Sequence, residues 1–120
     1  MAKNDLDFIL YKILLYYYGA LQKKYRFDIR VFKALFDTSV DEEYWMEVVH
    51  MAADEGLITA LKFVSAWGND GILVNDLSDG KITISGVQYL KENSSMKKVT
   101  ELLSKSTGIV ANLAALVSLF

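Results

Sequence analysis

The chain has 120 residues, 52% of them hydrophobic, and a formal net charge of −2, which fits one compact domain and gives no general attraction to a polyanion. It contains no cysteine, so disulfides, thiolate catalysis and cysteine metal sites are excluded, and a reducing, cytoplasmic setting is expected. The charge is segregated along the chain. Residues 1–36 hold seven lysines and arginines against three aspartates, whereas residues 37–56 hold seven acidic residues and neither lysine nor arginine.

The first part of the chain predicts two helices. Asn4 can cap a first helix, whose apolar residues recur at three- and four-residue spacing up to Tyr18. A polar, basic connection follows, and Asp28 can then cap a short second helix over Ile29–Phe36. The neighbouring tyrosines Tyr16–Tyr18 are interpreted as packing residues, because a base-stacking platform requires interleaved cations on an open groove.

A third helix is predicted from Val40, because Ser39 and Glu42 have the spacing of a capping box. Gly56 is expected to end this helix in the left-handed conformation. On its predicted surface, the inward cluster contains Tyr44 and Trp45, while His50 and the acidic residues face outward. The outward acidic residues are Glu42, Glu43, Glu47 and Asp54.

The next segment predicts a β-hairpin. Residues of β type run from Leu57 to Trp67, a turn follows at residues 68–71, and a return strand is expected over Ile72–Asp76. At the edge of this turn, Trp67 is a candidate contact residue for a protein partner, although it can instead fold back on the hairpin.

After the hairpin, a short strand over Lys81–Ile84 leads into a fourth helix that ends near Asn93. Ser85 and Gln88 form a second capping box at the start of that helix. The order of these elements predicts an α+β, mainly helical fold, a winged helix-turn-helix with a β-hairpin wing and an extra C-terminal helix. Residues 1–97 are assigned to the winged-helix domain.

Residues 98–120 are predicted to form a C-terminal apolar helix, packed on the domain or joining two copies. Its run from Gly108 to Phe120 is too short to span a membrane, and attachment to a membrane surface is not favoured because the cations stop at Lys105, so no membrane partner is expected. Self-association into a homodimer is favoured, because a domain of this size leaves an apolar stripe to be covered. The candidate dimerisation residues are Leu102, Ile109, Leu113, Leu116 and Phe120.

The third helix has the wrong charge for a helix that reads DNA. Recognition helices offer Arg, Lys, Asn or Gln to base edges, whereas this surface offers carboxylates. A basic group around the second helix can still contact a DNA backbone, or it can be a solvated connection that balances the acidic helix. This group consists of Lys23, Lys24, Arg26, Arg30 and Lys33.

The sequence favours no catalytic residue, metal site or cofactor. His50 is the single histidine, and Glu47 with His50 matches only one half of a carboxylate metal motif that needs partners on facing helices. The Gly-x-Ser-x-Gly pattern of serine hydrolases and a phosphate loop are both absent. The expected protein is therefore not an enzyme.

Three stretches of the chain resemble the YjcQ-like family: Tyr44–Val49, Asp54–Ile58 and Ile82–Asn93. The members of this family are small winged-helix proteins that are frequent in phages and prophages of Gram-positive bacteria. The resemblance extends over about Asp41 to Lys97. It implies a winged helix and, by analogy of fold, DNA binding.

Two functional hypotheses follow. The first is a regulatory module that binds duplex DNA weakly, through backbone contacts of the basic group. The second is a winged helix used for protein binding, in which the acidic face of the third helix meets a basic partner.

Overall fold

The computed structural model of the chain describes residues 6–36, 40–66 and 68–93. The predicted class, α+β and mainly helical, is confirmed within this part of the chain. The helices are α1 (Leu6–Leu21), α2 (Ile29–Ala34), α3 (Glu42–Asp54) and α4 (Ile84–Glu92). The strands are β1 (Ile58–Thr59), β2 (Phe63–Ala66), β3 (Asn69–Leu73) and β4 (Lys81–Ile82), and a single 3₁₀ turn spans Leu77–Asp79.

The helix α1 lies at the centre of the fold. Every residue from Phe8 to Tyr17 is buried except Leu10, which is half-buried. Apart from Lys12, this segment is apolar around its whole circumference, so it has to be covered on all sides, and α1 contacts α3, α4 and β4. The rest of the described chain therefore folds around α1.

The tyrosines of α1 are packing residues, as the sequence predicted. Tyr16 and Tyr17 are almost completely buried, and Tyr18 is half-buried. The Tyr17 hydroxyl donates a hydrogen bond of 2.7 Å to the carbonyl oxygen of Leu77, which satisfies this polar group inside the core. Burial raises the pKa of Tyr17 well above its ordinary value, so the side chain is neutral at physiological pH.

The strands pair differently from the predicted single hairpin. β2 and β3 form an antiparallel hairpin, but β1 pairs with β4 to make a separate two-stranded sheet. The predicted strand from Leu57 is interrupted at Ala60, whose φ of 72° is left-handed. The Asn75 side chain bridges this break: its amide donates to the Ala60 carbonyl, and its oxygen accepts from the Lys62 amide, each at 2.9 Å.

Residues other than the predicted ones occupy the N-cap positions of two helices. α3 begins at Glu42 with Asp41 in the N-cap position, and Ser39 lies outside the described residues. α4 is capped by Thr83 rather than by Ser85. The Thr83 hydroxyl accepts from the Gly86 amide at 3.0 Å and donates to the Gly56 carbonyl at 2.6 Å. It therefore links the start of α4 to the end of α3.

Other boundaries agree more closely with the sequence. Asp28 caps α2 as predicted, although α2 ends at Ala34 rather than at Phe36. Gly56 has a left-handed φ of 75° directly after α3, as expected, and α4 ends at Glu92.

Three further sequence predictions fall outside the described part of the chain. They are the cap at Asn4, the C-terminal helix with its dimerisation residues, and the placement of Trp67. Among the helices that the structure describes, none has the length and apolar character needed to cross a membrane.

Gly86 lets α4 approach the sheet formed by β1 and β4. A Cβ atom at this position would overlap the Leu57 carbonyl oxygen and lie 2.5 Å from Cγ1 of Ile82. Because a backbone carbonyl cannot move aside like a flexible side chain, we expect Gly86→Ala to lower the free energy of unfolding by about 1–3 kcal/mol or more.

Urea unfolding monitored by circular dichroism measures this loss. The matched control is Ser85→Ala, one residue away and exposed, which should change the free energy of unfolding by less than ~0.5 kcal/mol. Equal stability of the two variants would contradict the close approach of α4.

Candidate functional site

The basic residues lie around the connection between the end of α1 and the start of α2. Lys23 and Lys24 follow the last turn of α1, Arg26 lies in the connection, and Arg30 and Lys33 lie on α2. All five are exposed, as a surface that contacts a polyanion requires.

Two aromatic residues fix the connection that carries Arg26. Tyr25 is half-buried, its ring stacks on Tyr16 at 4.7 Å, and its hydroxyl donates to the Tyr16 carbonyl at 2.6 Å. Phe27 packs against the rings of Tyr16 and Tyr17, each at 5.1 Å. Because the residues on both sides of Arg26 are anchored to α1, its exposed side chain is presented from a rigid backbone.

The start of α2 is also attached to α1. The Tyr16 hydroxyl accepts from the Asp28 amide at 3.1 Å and contacts the Asp28 carbonyl at 3.3 Å. The Asp28 side chain accepts from the Arg30 amide at 2.9 Å and so caps α2. The position of the basic group therefore follows from the core rather than from the loop itself.

The two cations on α2 are compensated by carboxylates. Arg30 pairs with Asp28 at 3.3 Å, and hydrogen bonding to Arg30 holds the pKa of Asp28 below its usual value. Lys33 pairs with Glu42 of α3, also at 3.3 Å. In contrast, Lys23, Lys24 and Arg26 form no salt bridge with any residue that the structure describes. The predicted basic group thus separates into a paired part and a free part.

This surface has a further cation, Lys81, that was not predicted from the sequence. Lys81, an exposed residue of β4, lines the same pocket as Lys23 and Arg26. These residues are far apart in sequence, and they meet because the pairing of β4 with β1 and its contact with α1 bring Lys81 to the end of α1. The alternation of exposed Lys81 and buried Ile82 was the available sequence signal, but it did not indicate the neighbours of Lys81.

A second cleft adjoins this pocket on the side of α3. It has a volume of about 680 Å³ and shares Arg26, Phe27 and Ser78 with the pocket. Its charges are mixed, since Lys33 and Arg26 lie beside Asp28, Glu42 and Asp76. The side of the basic surface that faces α3 therefore has mixed charge, and Arg26 lines both clefts, whereas Lys23 lines only the first pocket.

The acidic face of α3 is arranged as the sequence predicted. Glu42, Glu43, Glu47 and Asp54 are all exposed. Glu42 is engaged with Lys33, which leaves Glu43 and Glu47 as the carboxylates of the first two turns that have no salt bridge within the described chain. This face repels phosphate groups and attracts basic groups.

Two residues of α3 face differently from the prediction. Tyr44, expected in the inward cluster, is 39% exposed, whereas the neighbouring Trp45 is buried. His50, expected on the outward face, has a side chain that is only 17% exposed. Its ring packs on Phe63 of β2 at 4.5 Å, and it lies beneath Gly71, where an added Cβ would approach His50 Nδ1 to 2.8 Å. The hairpin covers His50, and the absence of a side chain at Gly71 permits that contact.

No cluster of three or more His, Asp or Glu side chains with the proximity of a metal site occurs among the residues described. The half-motif of Glu47 and His50 therefore has no third ligand in this part of the chain. His50 instead lies 3.7 Å from Asp54, one turn along the same helix.

A family model described as YjcQ protein matches residues 11–106 of the chain, and so covers most of α1 and all the other described elements. Comparison with curated proteins and with solved structures gave no significant match.

Lys23 has a backbone conformation that favours glycine, with a φ of 60°. Left-handed backbone costs ~1–2 kcal/mol for a residue with a Cβ, while the extra flexibility of glycine in the unfolded chain costs roughly 0.5–1 kcal/mol. We therefore expect Lys23→Gly to keep or raise the free energy of unfolding, by up to about 1 kcal/mol.

The matched control is Lys24→Gly, which removes the same charge without relieving a positive φ, and should lower stability by about 0.5–1 kcal/mol. Urea unfolding of both variants measures these changes in the free energy of unfolding. A Lys23→Gly variant that is less stable than Lys24→Gly would contradict this prediction. It would show that the Lys23 side chain contributes to the stability of the fold.

Proposed function

The chain belongs to the YjcQ protein family, and we propose that it is a non-catalytic winged-helix module that binds the phosphate backbone of nucleic acid. The proposed contact residues are Lys23, Lys24 and Arg26, at the end of α1 and in the connection to α2. One observation carries the proposal: these three cations are exposed on an anchored segment and have no salt bridge within the described chain.

The arrangement of elements supports a winged helix. α2 and α3 follow one another as the two helices of a helix-turn-helix, and the β2–β3 hairpin follows α3 as a wing would. The packing of Phe63 on His50 attaches this hairpin to α3.

The charge distribution argues against the usual docking geometry, in which the second helix of the motif enters the major groove. Glu43 and Glu47 would lie against phosphates, and Lys33 is already paired with Glu42. The nucleic acid is therefore expected to contact the end of α1 rather than the outer face of α3. Such binding depends on counterion release, carries little sequence information and weakens steeply with salt.

Titration of a labelled short duplex at several salt concentrations tests this proposal. Each phosphate contact contributes ~0.9 to the slope of log affinity against log salt, so Lys23→Gln/Arg26→Gln should reduce the slope by about 2. Arg30→Gln/Lys33→Gln removes the same charge from residues that are paired, and should change the slope by less than ~1.

Tight binding that persists at moderate salt would contradict a contact made by backbone charges alone. Equal effects of the two double variants would show that the separation into paired and free cations has no functional meaning. In either case, circular dichroism of each variant establishes that the fold is intact.

A second function is favoured by the exposure of the acidic residues on α3. A basic protein partner could bind Glu43, Glu47 and Asp54, all of which are exposed. The duplex titration tests whether this face is free of the nucleic acid, as binding of a protein partner there requires: Glu47→Gln should strengthen DNA binding if α3 only repels the backbone. Loss of DNA binding on Glu47→Ala would instead place α3 in the nucleic-acid interface.

We further infer self-association from the apolar spacing of the C-terminal sequence. A few leucine-sized side chains contribute ~1.5–3 kcal/mol each when buried, which is enough to offset the cost of association. Truncation after Lys105 should then convert a dimer into a folded monomer in sedimentation experiments. A full chain that is monomeric at micromolar concentration would exclude this dimer.

A further inference from the structure

The pocket beside the end of α1 has the size of a ligand site. Its volume is about 700 Å³, within the ~300–1,000 Å³ that is usual for small-molecule pockets. It lies where α1, the connection to α2, the 3₁₀ turn and β4 meet. The described residues that line it include Lys23, Tyr25, Arg26, Phe27 and Lys81.

The charges that the described residues contribute to this pocket have one sign. Lys23, Arg26 and Lys81 contribute three cations, and none of the described lining residues carries a carboxylate. None of the three forms a salt bridge with another described residue. The neighbouring cleft has a similar volume but contains Asp28, Glu42 and Asp76, so the concentration of positive charge is specific to this pocket. Cations that converge in a concave site bind phosphate through charge-assisted hydrogen bonds.

The pocket also has an aromatic wall that is already in place. Tyr25 is fixed by its stack on Tyr16 and by its 2.6 Å hydrogen bond to the Tyr16 carbonyl, so no ligand is needed to order it. Phe27 is held by its contacts with Tyr16 and Tyr17. Pre-ordered aromatic side chains beside cations are the combination that binds a phosphate together with an attached base.

The floor of the pocket is set by the core. The Tyr17 hydroxyl bonds to the carbonyl of Leu77, which holds the 3₁₀ turn and therefore Ser78 against α1. At Gly80, which also lines the pocket, a Cβ would lie 3.0 Å from the side chains of Tyr17 and Leu61, so a side chain there would crowd Tyr17. The position of this part of the lining thus depends on a buried hydrogen bond and on the absence of a side chain at Gly80.

We propose that this pocket binds a nucleoside phosphate, with the phosphate at Lys23, Arg26 and Lys81 and the base against the aromatic wall. Such a group comes either from a free mononucleotide or from an unpaired nucleotide of a nucleic-acid strand. A duplex does not supply such a group, because its bases are paired inside the helix and its backbone faces outward. The proposal rests on the proposed function only where the nucleotide belongs to a nucleic-acid strand. A free mononucleotide would bind whether or not the protein binds nucleic acid.

Isothermal titration of the full chain with adenosine 5′-monophosphate, and separately with a short single-stranded oligonucleotide, tests the proposal. Saturable binding of the mononucleotide supports a free ligand, and binding of the oligonucleotide alone supports an unpaired nucleotide. In the supporting case, Lys81→Gln weakens binding about tenfold or more, because a charge-assisted hydrogen bond is lost. The matched control Lys91→Gln, an exposed lysine of α4, leaves it unchanged.

Amide chemical shifts give a readout that is independent of affinity. On addition of the ligand, they should move in the segments 23–27 and 78–81, which surround the pocket, and stay constant in α3. Adenosine without phosphate should bind far more weakly than the monophosphate. This difference separates recognition of the charge from simple stacking.

Three outcomes overturn the proposal: no saturable binding of either probe at millimolar concentration, equal effects of Lys81→Gln and Lys91→Gln, or equal binding of adenosine and its monophosphate. Retained duplex binding in the first outcome would leave the proposed function standing. Nucleotide binding without duplex binding would support the nucleotide pocket and contradict the proposed function, so the two failures are distinguishable.

Discussion

The burial of α1 from Phe8 to Tyr17 is the constraint on which the rest of the structure depends. Apart from Lys12, this segment is apolar on all its sides and cannot face water, so the other elements are arranged around it. The hydroxyls of its buried residues Tyr16 and Tyr17 also require partners, and they find them in the backbones of Asp28 and Leu77. These two bonds fix the start of α2 and the 3₁₀ turn. The surface that carries Lys23 and Arg26 lies between these two segments, so its shape is a consequence of how the core is satisfied.

The helices could be predicted from sequence because their determinants are local. The three- and four-residue spacing in α1, the cap at Asp28 and the left-handed Gly56 all act within one or two turns. The pairing of β1 with β4 could not be predicted, because it joins segments separated by the whole hairpin. The break that separates β1 from β2 depends on the Asn75 side chain bonding to a backbone fifteen residues away. No local pattern records such a bond.

The candidate site was predictable only in part for the same reason. Charge counting identified the basic group and the acidic face, and the exposure of both is confirmed. It could not show that Lys33 is paired with Glu42 while Lys23 and Arg26 are unpaired within the described chain, since this depends on how α2 lies against α3. Nor could it show Lys81 at the end of α1. Periodicity misplaced His50, because the hairpin covers a position that a solitary helix would expose.

The pairing of β1 with β4 has a topological consequence. Thr59 lies opposite Lys81, so the chain between them leaves the core and returns to almost the same point. That closed excursion contains the β2–β3 hairpin and the 3₁₀ turn, and it supplies Ser78 to both clefts. Doubling the length of a flexible closed loop costs only ~0.6 kcal/mol of entropy. A change in the length of this excursion would therefore alter the wall that Ser78 contributes to both clefts at a small cost in loop entropy.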